Sequence, residues 1–274
     1  MLSEKTISEK LFELFIKNSA LGEFEGQIRE LISLCKSEEE VRLLFHSLNH
    51  MIVLNHKQLS FGLRLMSDFA SEEANSHGKI AIVATAYDSG SDGSQLVLYM
   101  LKPELDRNLD IKLFNTVPSY LRKMKDYPHF ILIDDFSGTG STIINRLEYI
   151  AKDAKSRDID ASGSVCLIAA MEKAKTNIEE RGFNLRIFKE LKAGISGYFS
   201  GKELENANKQ MLRLESELNP SIGERNLPSF GYGGAEALYF LHPGNAPNSN
   251  FPIFWWPEDR TGQSRKTIMK RYEL

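Results

Sequence analysis

The feature that most limits how this chain can fold is a series of short apolar runs separated by helical patterns. Continuous aliphatic stretches occupy residues 79–86, 129–134 and 164–171, and such stretches are typical of strands buried on both faces of a sheet. Shorter strands are predicted at 111–117 and 185–188. Because strands that alternate with helices form parallel sheets through right-handed crossovers, the sequence predicts an α/β fold with helices on both faces of a parallel sheet.

The first quarter of the chain has a different pattern. Residues 1–75 carry apolar side chains at helical spacing throughout. We therefore expect an all-helical N-terminal region at 1–75, followed by a second domain at 76–274. Within the second domain, a charged helix near 201–219 is predicted as an insertion on the surface. The C-terminal tail is rich in glycine, proline, asparagine and aromatic residues, and its apolar content predicts that it packs on the domain.

Composition and charge narrow the class of protein. The formal net charge is −3 over 274 residues, which argues against bulk electrostatic binding to nucleic acid or to a membrane surface. No apolar run approaches the roughly 20 residues that span a bilayer, and the polar N-terminus is unlike a signal peptide. Cys35 and Cys166 each lie inside an apolar pattern, which predicts buried thiols. We expect a soluble cytoplasmic protein that has no membrane partner.

The strand at 129–134 leads into a loop of small and polar residues that runs from Asp134 to Thr142. Open parallel sheets bind ligands beyond the carboxyl ends of their strands, where this loop lies. Glycines allow tight turns, and the helix that begins near Ser141 offers free N–H groups and the positive end of its dipole. The loop therefore predicts a phosphate site. Its candidate residues are Ser137, Gly138, Thr139, Gly140, Ser141 and Thr142.

Two adjacent carboxylates, Asp134 and Asp135, precede this loop. Carboxylates make poor phosphate ligands, but they accept hydrogen bonds from sugar hydroxyls and attract Mg²⁺. A ribose 5-phosphate meets both demands at once, because it carries a phosphate and a pair of hydroxyls. The alternative is a strand-to-helix turn with a doubled aspartate and no ligand.

The segment 131–142 resembles the phosphoribosyl-pyrophosphate motif of type I phosphoribosyltransferases, from which it departs at Ser137 and Gly138. The resemblance implies a phosphoribosyltransferase-like fold in which Asp134 and Asp135 are catalytic. It implies phosphoribosyl pyrophosphate (PRPP) or a nucleotide as the small-molecule partner. It also implies Mg²⁺ as a cofactor that is held through the pyrophosphate of the substrate, with no direct protein ligand.

The same resemblance implies a pyrophosphate loop after the first strand of the sheet. Ser89, Gly90 and Ser91 occupy that place, and their backbone N–H groups would form an anion-binding nest. An ordinary turn explains these residues equally well. Asp88 and Asp92 would repel pyrophosphate unless a metal ion bridged them.

Salvage and biosynthetic members of that family carry a long flexible loop before the motif, whereas residues 103–128 predict a strand and a short helix. A closer resemblance is to the phosphoribosyltransferase-like proteins of prokaryotic conflict systems, which are associated with antiphage defence and, in some operons, with retrons. The chain shares the Asp-Asp-Phe-Ser-Gly-Thr-Gly form of the motif with them. It also shares a segment like 231–238 and a tail like 247–255.

Aromatic and amide side chains offer surfaces for a nucleotide base. Phe136, Asn248 and Trp255 are the candidate base-binding residues, and stacking on Trp255 would contribute about 1–3 kcal/mol. The alternative is that the aromatic residues of the tail, Trp256 among them, close the hydrophobic core.

Two functions remain open at this point. The first is an effector that acts at ribose C1′ of PRPP or a nucleotide, by glycosyltransferase or nucleotide N-glycosidase chemistry, in antiphage defence. The second is a catalytically inactive nucleotide-sensing or regulatory module, which the lack of a predicted flexible loop favours. A third possibility is that residues 1–75 are mainly a docking surface for a protein or nucleoprotein partner, which exposed apolar residues there would support, and a homo-oligomer is possible.

Overall fold

The computed structural model describes residues 3–88, 90 and 92–272. The contacts of the chain group it into two compact units. The sheet unit is His56–Leu191, and the composite unit combines Met1–Asn55 with Lys192–Leu274. The predicted domain boundary at residue 75 stays a prediction. The two compact units have their boundaries at Asn55/His56 and at Leu191/Lys192.

Helices and strands are numbered in chain order. The α-helices of the described chain are α1 Glu4–Lys17, α2 Glu25–Ser33, α3 Glu38–His50, α4 His56–His77, α5 Gly93–Leu101, α6 Val117–Leu121, α7 Ser141–Ser156, α8 Glu172–Glu179 and α9 Gly201–Glu215. The strands are β1 Ile52–Leu54, β2 Ile80–Ala84, β3 Ile111–Phe114, β4 His129–Ser137, β5 Ser162–Met171, β6 Asn184–Leu191, β7 Ser221–Ile222, β8 Arg225–Asn226 and β9 Tyr239–Leu241. Among the described residues, no helix combines the length and the apolar character that crossing a bilayer requires.

The strands of the sheet unit form one parallel sheet in the order β3-β2-β4-β5-β6. This confirms the predicted α/β class with a parallel sheet. From β2 the chain moves to β3 on one side, and it then returns across β2 to add β4 on the other side. The direction of strand addition therefore reverses between β2 and β4, and ligands of open α/β sheets bind at such a switch point.

Helices cover both faces of this sheet. On one face, Leu132 of β4 shares a core with Leu147 of α7 and Ile178 of α8. On the opposite face, Gly62 of α4 packs so closely that a β-carbon there would lie 3.1 Å from the Ile168 side chain of β5. Because both faces are covered, the central strands are continuous apolar runs, which is the pattern from which the sequence predicts them.

The composite unit buries a core built from both of its chain segments. Leu44 and Leu48 of α3 share this core with Met211 of α9 and with Trp256 of the C-terminal tail. Strand β1 pairs in parallel with β9, which joins the two segments by backbone hydrogen bonds. The charged helix predicted near 201–219 is α9, and its Ala207, Met211 and Leu214 side chains lie in this core. Its role as an insertion stays a prediction.

One buried charge in the composite unit is fully paired. Glu40 of α3 is only 6% exposed. The Nε atom of Arg213 donates to its Oε1 atom at 2.7 Å, and Nη2 donates to Oε2 at 2.5 Å. The same guanidinium group donates to the Leu34 carbonyl oxygen at 2.8 Å and to Glu217 at 3.0 Å. This two-point contact is the strong form of an arginine–carboxylate pair, and it fastens α9 to α3.

Candidate functional site

The carboxyl ends of β2 and β4 bring the first predicted acid next to Thr85. The Thr85 hydroxyl donates to Oδ2 of Asp134 at 2.7 Å, and the N–H of Asp135 donates to Oδ1 at 2.9 Å. Asp134 is only 8% exposed, and both of its oxygens already have a donor. Its side chain therefore fixes the end of β4 against the end of β2.

Asp135 is half-buried and lies against the first turn of α5. Gly93 begins this helix, and a β-carbon at Gly93 would overlap the Asp135 carboxylate. Asp92 is the N-cap residue, and its Oδ1 atom accepts the N–H of Ser94 at 2.8 Å. The missing side chain of Gly93 thus leaves room for Asp135, and a third carboxylate, Asp92, lies close to the two predicted ones.

Burial and neighbouring charge raise the pKa of both motif acids. Burial raises the pKa of Asp134 well above its ordinary value, and the charge of Asp135 raises it further. Burial also raises the pKa of Asp135, the hydrogen bond with Asp134 lowers it, and the charge of Asp92 raises it. Within the described part of the chain, none of the three forms an ion pair; the aspartates of the sheet unit that do are Asp110, Asp126 and Asp153. The corner therefore brings three carboxyl groups together with no paired cation among the described residues.

The turn after β4 reaches α7 through a left-handed glycine. Gly140 has a φ of 82°, and a β-carbon there would lie 3.2 Å from the Ala174 carbonyl oxygen. The Asn177 side chain of α8 donates to the carbonyl oxygen of Thr139 at 2.8 Å, so the turn is tied to its neighbouring helix. Because the N-cap residue Gly140 has no side chain, the positive end of α7 faces the turn with no cap of its own.

The predicted phosphate-binding residues lie together in this turn but differ in exposure. Ser141 and Thr142 are exposed, whereas Ser137 and Gly140 are buried and the two residues between them are half-buried. The hydroxyl oxygens of Thr139 and Ser141 are 2.9 Å apart. An anion at the start of α7 therefore meets Ser141 and Thr142 first, while the buried residues shape the turn.

The predicted pyrophosphate loop is described only in part. Ser89 and Ser91 lie outside the described residues. Gly90 is exposed, and its N–H donates to Oδ1 of Asp88 at 2.9 Å, which forms a local turn. The pyrophosphate role of these three residues stays a prediction.

The predicted base-binding residues fall in different units. Phe136 is half-buried near the end of β4 in the sheet unit, whereas Asn248 and Trp255 belong to the composite unit. Trp255 is 2% exposed, and its indole N–H donates to the Asn250 carbonyl oxygen at 2.9 Å. A base would stack on Trp255 only if this packing opened, so the base-binding role stays a prediction. Trp256 is buried in the core, in line with the alternative that the aromatic residues of the tail close the hydrophobic core.

Three residues of the corner were not singled out from the sequence. Thr85 supports Asp134, Asn177 holds the turn, and Arg146 of α7 donates from Nε to the Thr85 carbonyl oxygen at 3.0 Å. The place of Thr85 at the end of an apolar run was a usable signal, because the ends of neighbouring parallel strands meet at one edge. Asn177 and Arg146 lie on helices at positions that have no local signal for such contacts.

A strand order that reverses beside a doubled acid places this chain in the class of phosphoribosyltransferase-like α/β proteins. The family is shown by a match over most of the amino-acid sequence. The model of the PRTase-CE family matches residues 29–271, and the chain belongs to that family. The match begins within α2 and extends into both units, which is a wider range than the motif resemblance suggested.

Three solved structures match parts of this chain at low sequence identity. An orotate phosphoribosyltransferase from Aeropyrum pernix is 18% identical over 49% of this chain and 71% of its own, with a TM-score of 0.34. An orotate phosphoribosyltransferase from Mycobacterium tuberculosis H37Rv, in complex with inorganic phosphate, is 12% identical. The match covers 59% of this chain and 93% of that one, with a TM-score of 0.36. A phosphoribosyltransferase from Corynebacterium diphtheriae is 9% identical. The match covers 56% of this chain and 96% of that one, with a TM-score of 0.32. A search of curated proteins finds no match.

Proposed function

We propose that the chain binds PRPP or a nucleotide at the carboxyl ends of β2 and β4 and acts at ribose C1′. One observation carries the proposal: Asp92, Asp134 and Asp135, which have no ion pair among the described residues, lie at the same sheet edge as the uncapped start of α7. A helix N-terminus attracts phosphate, and carboxylates accept hydrogen bonds from hydroxyls. A ribose 5-phosphate supplies a phosphate and two hydroxyls from one small molecule.

The two motif acids take different parts in this proposal. Asp135 is half-buried and is the carboxylate that a ribose hydroxyl reaches. Asp134 is buried, and it supports Asp135 by accepting the backbone N–H of Asp135 at Oδ1. Bond breaking at C1′ leaves positive charge on the sugar ring, and both carboxylates offset that charge. With PRPP, the bond from C1′ to pyrophosphate breaks, a bond to the acceptor forms, and pyrophosphate leaves with the electron pair.

Binding of the 5′-phosphate is assigned to the turn that begins α7. The exposed hydroxyls of Ser141 and Thr142 and the first N–H groups of the helix are the contacts, and Gly138, Thr139 and Gly140 give the turn its shape. Mg²⁺ would arrive with the substrate's pyrophosphate, be held through it with no direct protein ligand, and offset the charge of that leaving group.

A second function, nucleotide sensing without turnover, is favoured by the segment between α5 and β4. Residues 103–128 are all described, and they form the end of a 3-10 helix, strand β3, helix α6 and short turns in place of a long loop. Lids exclude water from reacting sugars and complete many active sites. Binding alone needs no such cover, so this segment is compatible with a sensor.

The biological setting belongs to the proposal as well. We place the activity in prokaryotic antiphage defence, in a retron or a similar system, because the segments 134–140 and 247–255 resemble proteins of conflict systems. Residues 1–75 would then bind a protein or nucleoprotein partner. The expected outcome is lower phage plating on cells that express the chain with its neighbouring genes. Equal plating with and without the chain would contradict this setting.

The binding proposal is tested by calorimetry with PRPP and with a nucleoside monophosphate, in the presence of Mg²⁺. Asp135→Asn should weaken binding at least 10-fold, because hydrogen bonds to a charged group contribute about 1.5–3 kcal/mol. Asp68→Asn is the matched control, since Asp68 is exposed on α4, and it should bind like the wild type. Absence of binding by the wild-type chain, or equal binding by Asp135→Asn, would refute the site.

A second pair of variants tests the phosphate contact alone. The double change Ser141→Ala and Thr142→Ala should weaken nucleotide binding and leave nucleoside binding unchanged, with Ser76→Ala as an exposed control. Release of pyrophosphate or free base by the wild type, lost in Asp135→Asn, identifies an enzyme. Binding without any release, with the partner present, identifies a sensor.

A further inference from the structure

A cluster of nitrogen and oxygen donors lies at the amino end of the parallel sheet. Glu73 and His77 are four residues apart on α4, so their side chains share one face of the helix. His129, the first residue of β4, lies across from them. One ligand atom from each of the three residues lies within 4.8 Å of the other two.

The His129 ring has a defined hydrogen-bond environment. Its Nε2 atom is 2.6 Å from Oε2 of Glu73, and its Nδ1 atom is 2.8 Å from the Ser162 hydroxyl. His129 is 5% exposed, so the ring cannot turn freely. With Nδ1 donating to Ser162, the lone pair of Nε2 points at Glu73, which is how a metal-binding histidine is oriented in most proteins.

The Glu73 carboxylate is oriented in a similar way. The Ser164 hydroxyl donates to its Oε2 atom at 2.6 Å, and the Asn184 amide donates to Oε1 at 3.4 Å. The Glu73 side chain is 13% exposed. Two strand residues thus support the glutamate and one supports the histidine, which is the arrangement of outer partners that fixes metal ligands.

We propose that Glu73, His77 and His129 bind a zinc ion. The ion replaces the proton between Nε2 of His129 and Oε2 of Glu73, which are 2.6 Å apart, and that proton is released to solvent. Because zinc bonds are about 2.0–2.2 Å long, the Glu73 carboxylate moves away from Nε2 when the ion binds. Two imidazoles and one carboxylate are a donor set that zinc accepts, with a fourth position left to water. The nitrogen donors select zinc over Mg²⁺ and Ca²⁺, which prefer oxygen ligands.

The exposed His77 side chain is where a zinc ion would enter from solvent, and its ring is the one that must turn to bind the ion. It is exposed at the end of α4, and its ring stacks on His129 at 3.7 Å between centroids with an angle of 5° between planes. Parallel rings direct their lone pairs into separate planes, so both cannot bind one ion in this arrangement. Zinc binding therefore turns the exposed His77 ring, while the buried His129 ring stays in place.

The site is separate from the proposed nucleotide site. Strand β4 runs from His129 to Ser137, and at about 3.3 Å per residue its two ends lie about 26 Å apart. Zinc at the amino end would fasten the last turn of α4 to the first residue of β4. It would stabilise the folded chain by mass action, because the ligands are scattered when the chain is unfolded.

The test uses the full chain after removal of metal with a chelator. Calorimetry should show one zinc ion bound per chain, and zinc should raise the melting temperature. His77→Ala should weaken zinc binding at least 10-fold and abolish the rise, and because His77 is exposed this variant should fold. His56→Ala, an exposed histidine at the other end of α4, is the matched control and should behave like the wild type.

Cobalt gives a second readout that does not depend on stability. Co²⁺ in the chain should show the strong visible absorption of a four-coordinate ion, and His77→Ala should lose it. Zinc binding that is absent, or that is equal in the wild type and His77→Ala, overturns the proposal. Nucleotide binding by the chelated protein is measured alongside, so that failure of one site is told apart from failure of the other.

Discussion

Two buried carboxylates, Glu40 in the composite unit and Asp134 in the sheet unit, differ in whether a cation compensates their charge. In the composite unit, Glu40 receives two guanidinium nitrogens of Arg213. In the sheet unit, Asp134 receives a hydroxyl and a backbone N–H, and burial raises its pKa. A buried carboxylate without a cation destabilises the fold. The Arg213 pair gives Glu40 a structural role, and the missing cation at Asp134 supports the proposed ligand site at that corner.

The largest expected effect comes from removing the compensation in the composite unit. Arg213→Ala should lower the free energy of unfolding by about 3–5 kcal/mol, because it leaves the Glu40 carboxylate buried without a cation. Chemical denaturation measures this change. Arg42→Ala is the control on the exposed face of α3, where the pair with Glu38 is open to solvent, and it should change little. A loss as small as that of the control would show that buried Glu40 needs no cation.

The second prediction removes the uncompensated charge instead. Asp134→Asn should raise the free energy of unfolding at pH 8 by about 1–3 kcal/mol. The pKa of Asp134 is raised in the folded chain, so the stability that this group contributes is fully present below its unfolded pKa and is lost as pH rises through its folded pKa. The advantage of the variant should therefore vanish near the unfolded pKa of about 4.

Denaturation of both proteins at the two pH values checks this sign. Asp68→Asn, which removes an exposed carboxylate from the same unit, should shift stability at neither pH. A variant that is less stable than the wild type at pH 8 would mean that the charge of Asp134 already has a partner.

The smallest expected effect on stability comes from a variant that displaces the Asp135 carboxylate and leaves its charge in place. Gly93→Ala places a β-carbon on the Asp135 carboxylate, so nucleotide affinity should fall about 10-fold, or about 1.4 kcal/mol, by calorimetry. Stability should change by less than about 1 kcal/mol, since alanine favours the helix. Gly26→Ala on α2 meets open space and should leave nucleotide binding unchanged. Full affinity in Gly93→Ala would remove Asp135 from the site.

Local patterns in the sequence were enough to predict the architecture of the sheet unit. The runs at 79–86, 129–134 and 164–171 lie in β2, β4 and β5 because strands covered on both faces must be apolar along their whole length. The turn into α7 was predicted for a similar reason, since glycines and hydroxyls before a helix leave a local signal. These features depend on neighbours in sequence.

Contacts between distant residues could not be predicted in this way. Strands β1 and β9 have three residues each and pair across almost 190 residues of chain, so neither has a pattern of its own. Asn177 reaches Thr139, and His129 reaches Glu73, only through the packing of complete elements. The burial of Asp134 also depends on the register of β2 against β4, which the hydrophobic pattern does not reveal.

The left-handed Gly140 and the hydrogen bond from Asn177 hold the turn before α7 in one shape. A phosphate that meets this preorganised receptor does not have to order a loose segment, so little of the binding energy is spent on conformational entropy. Association should then proceed without a slow rearrangement, and differences in affinity among ligands should arise in their residence times.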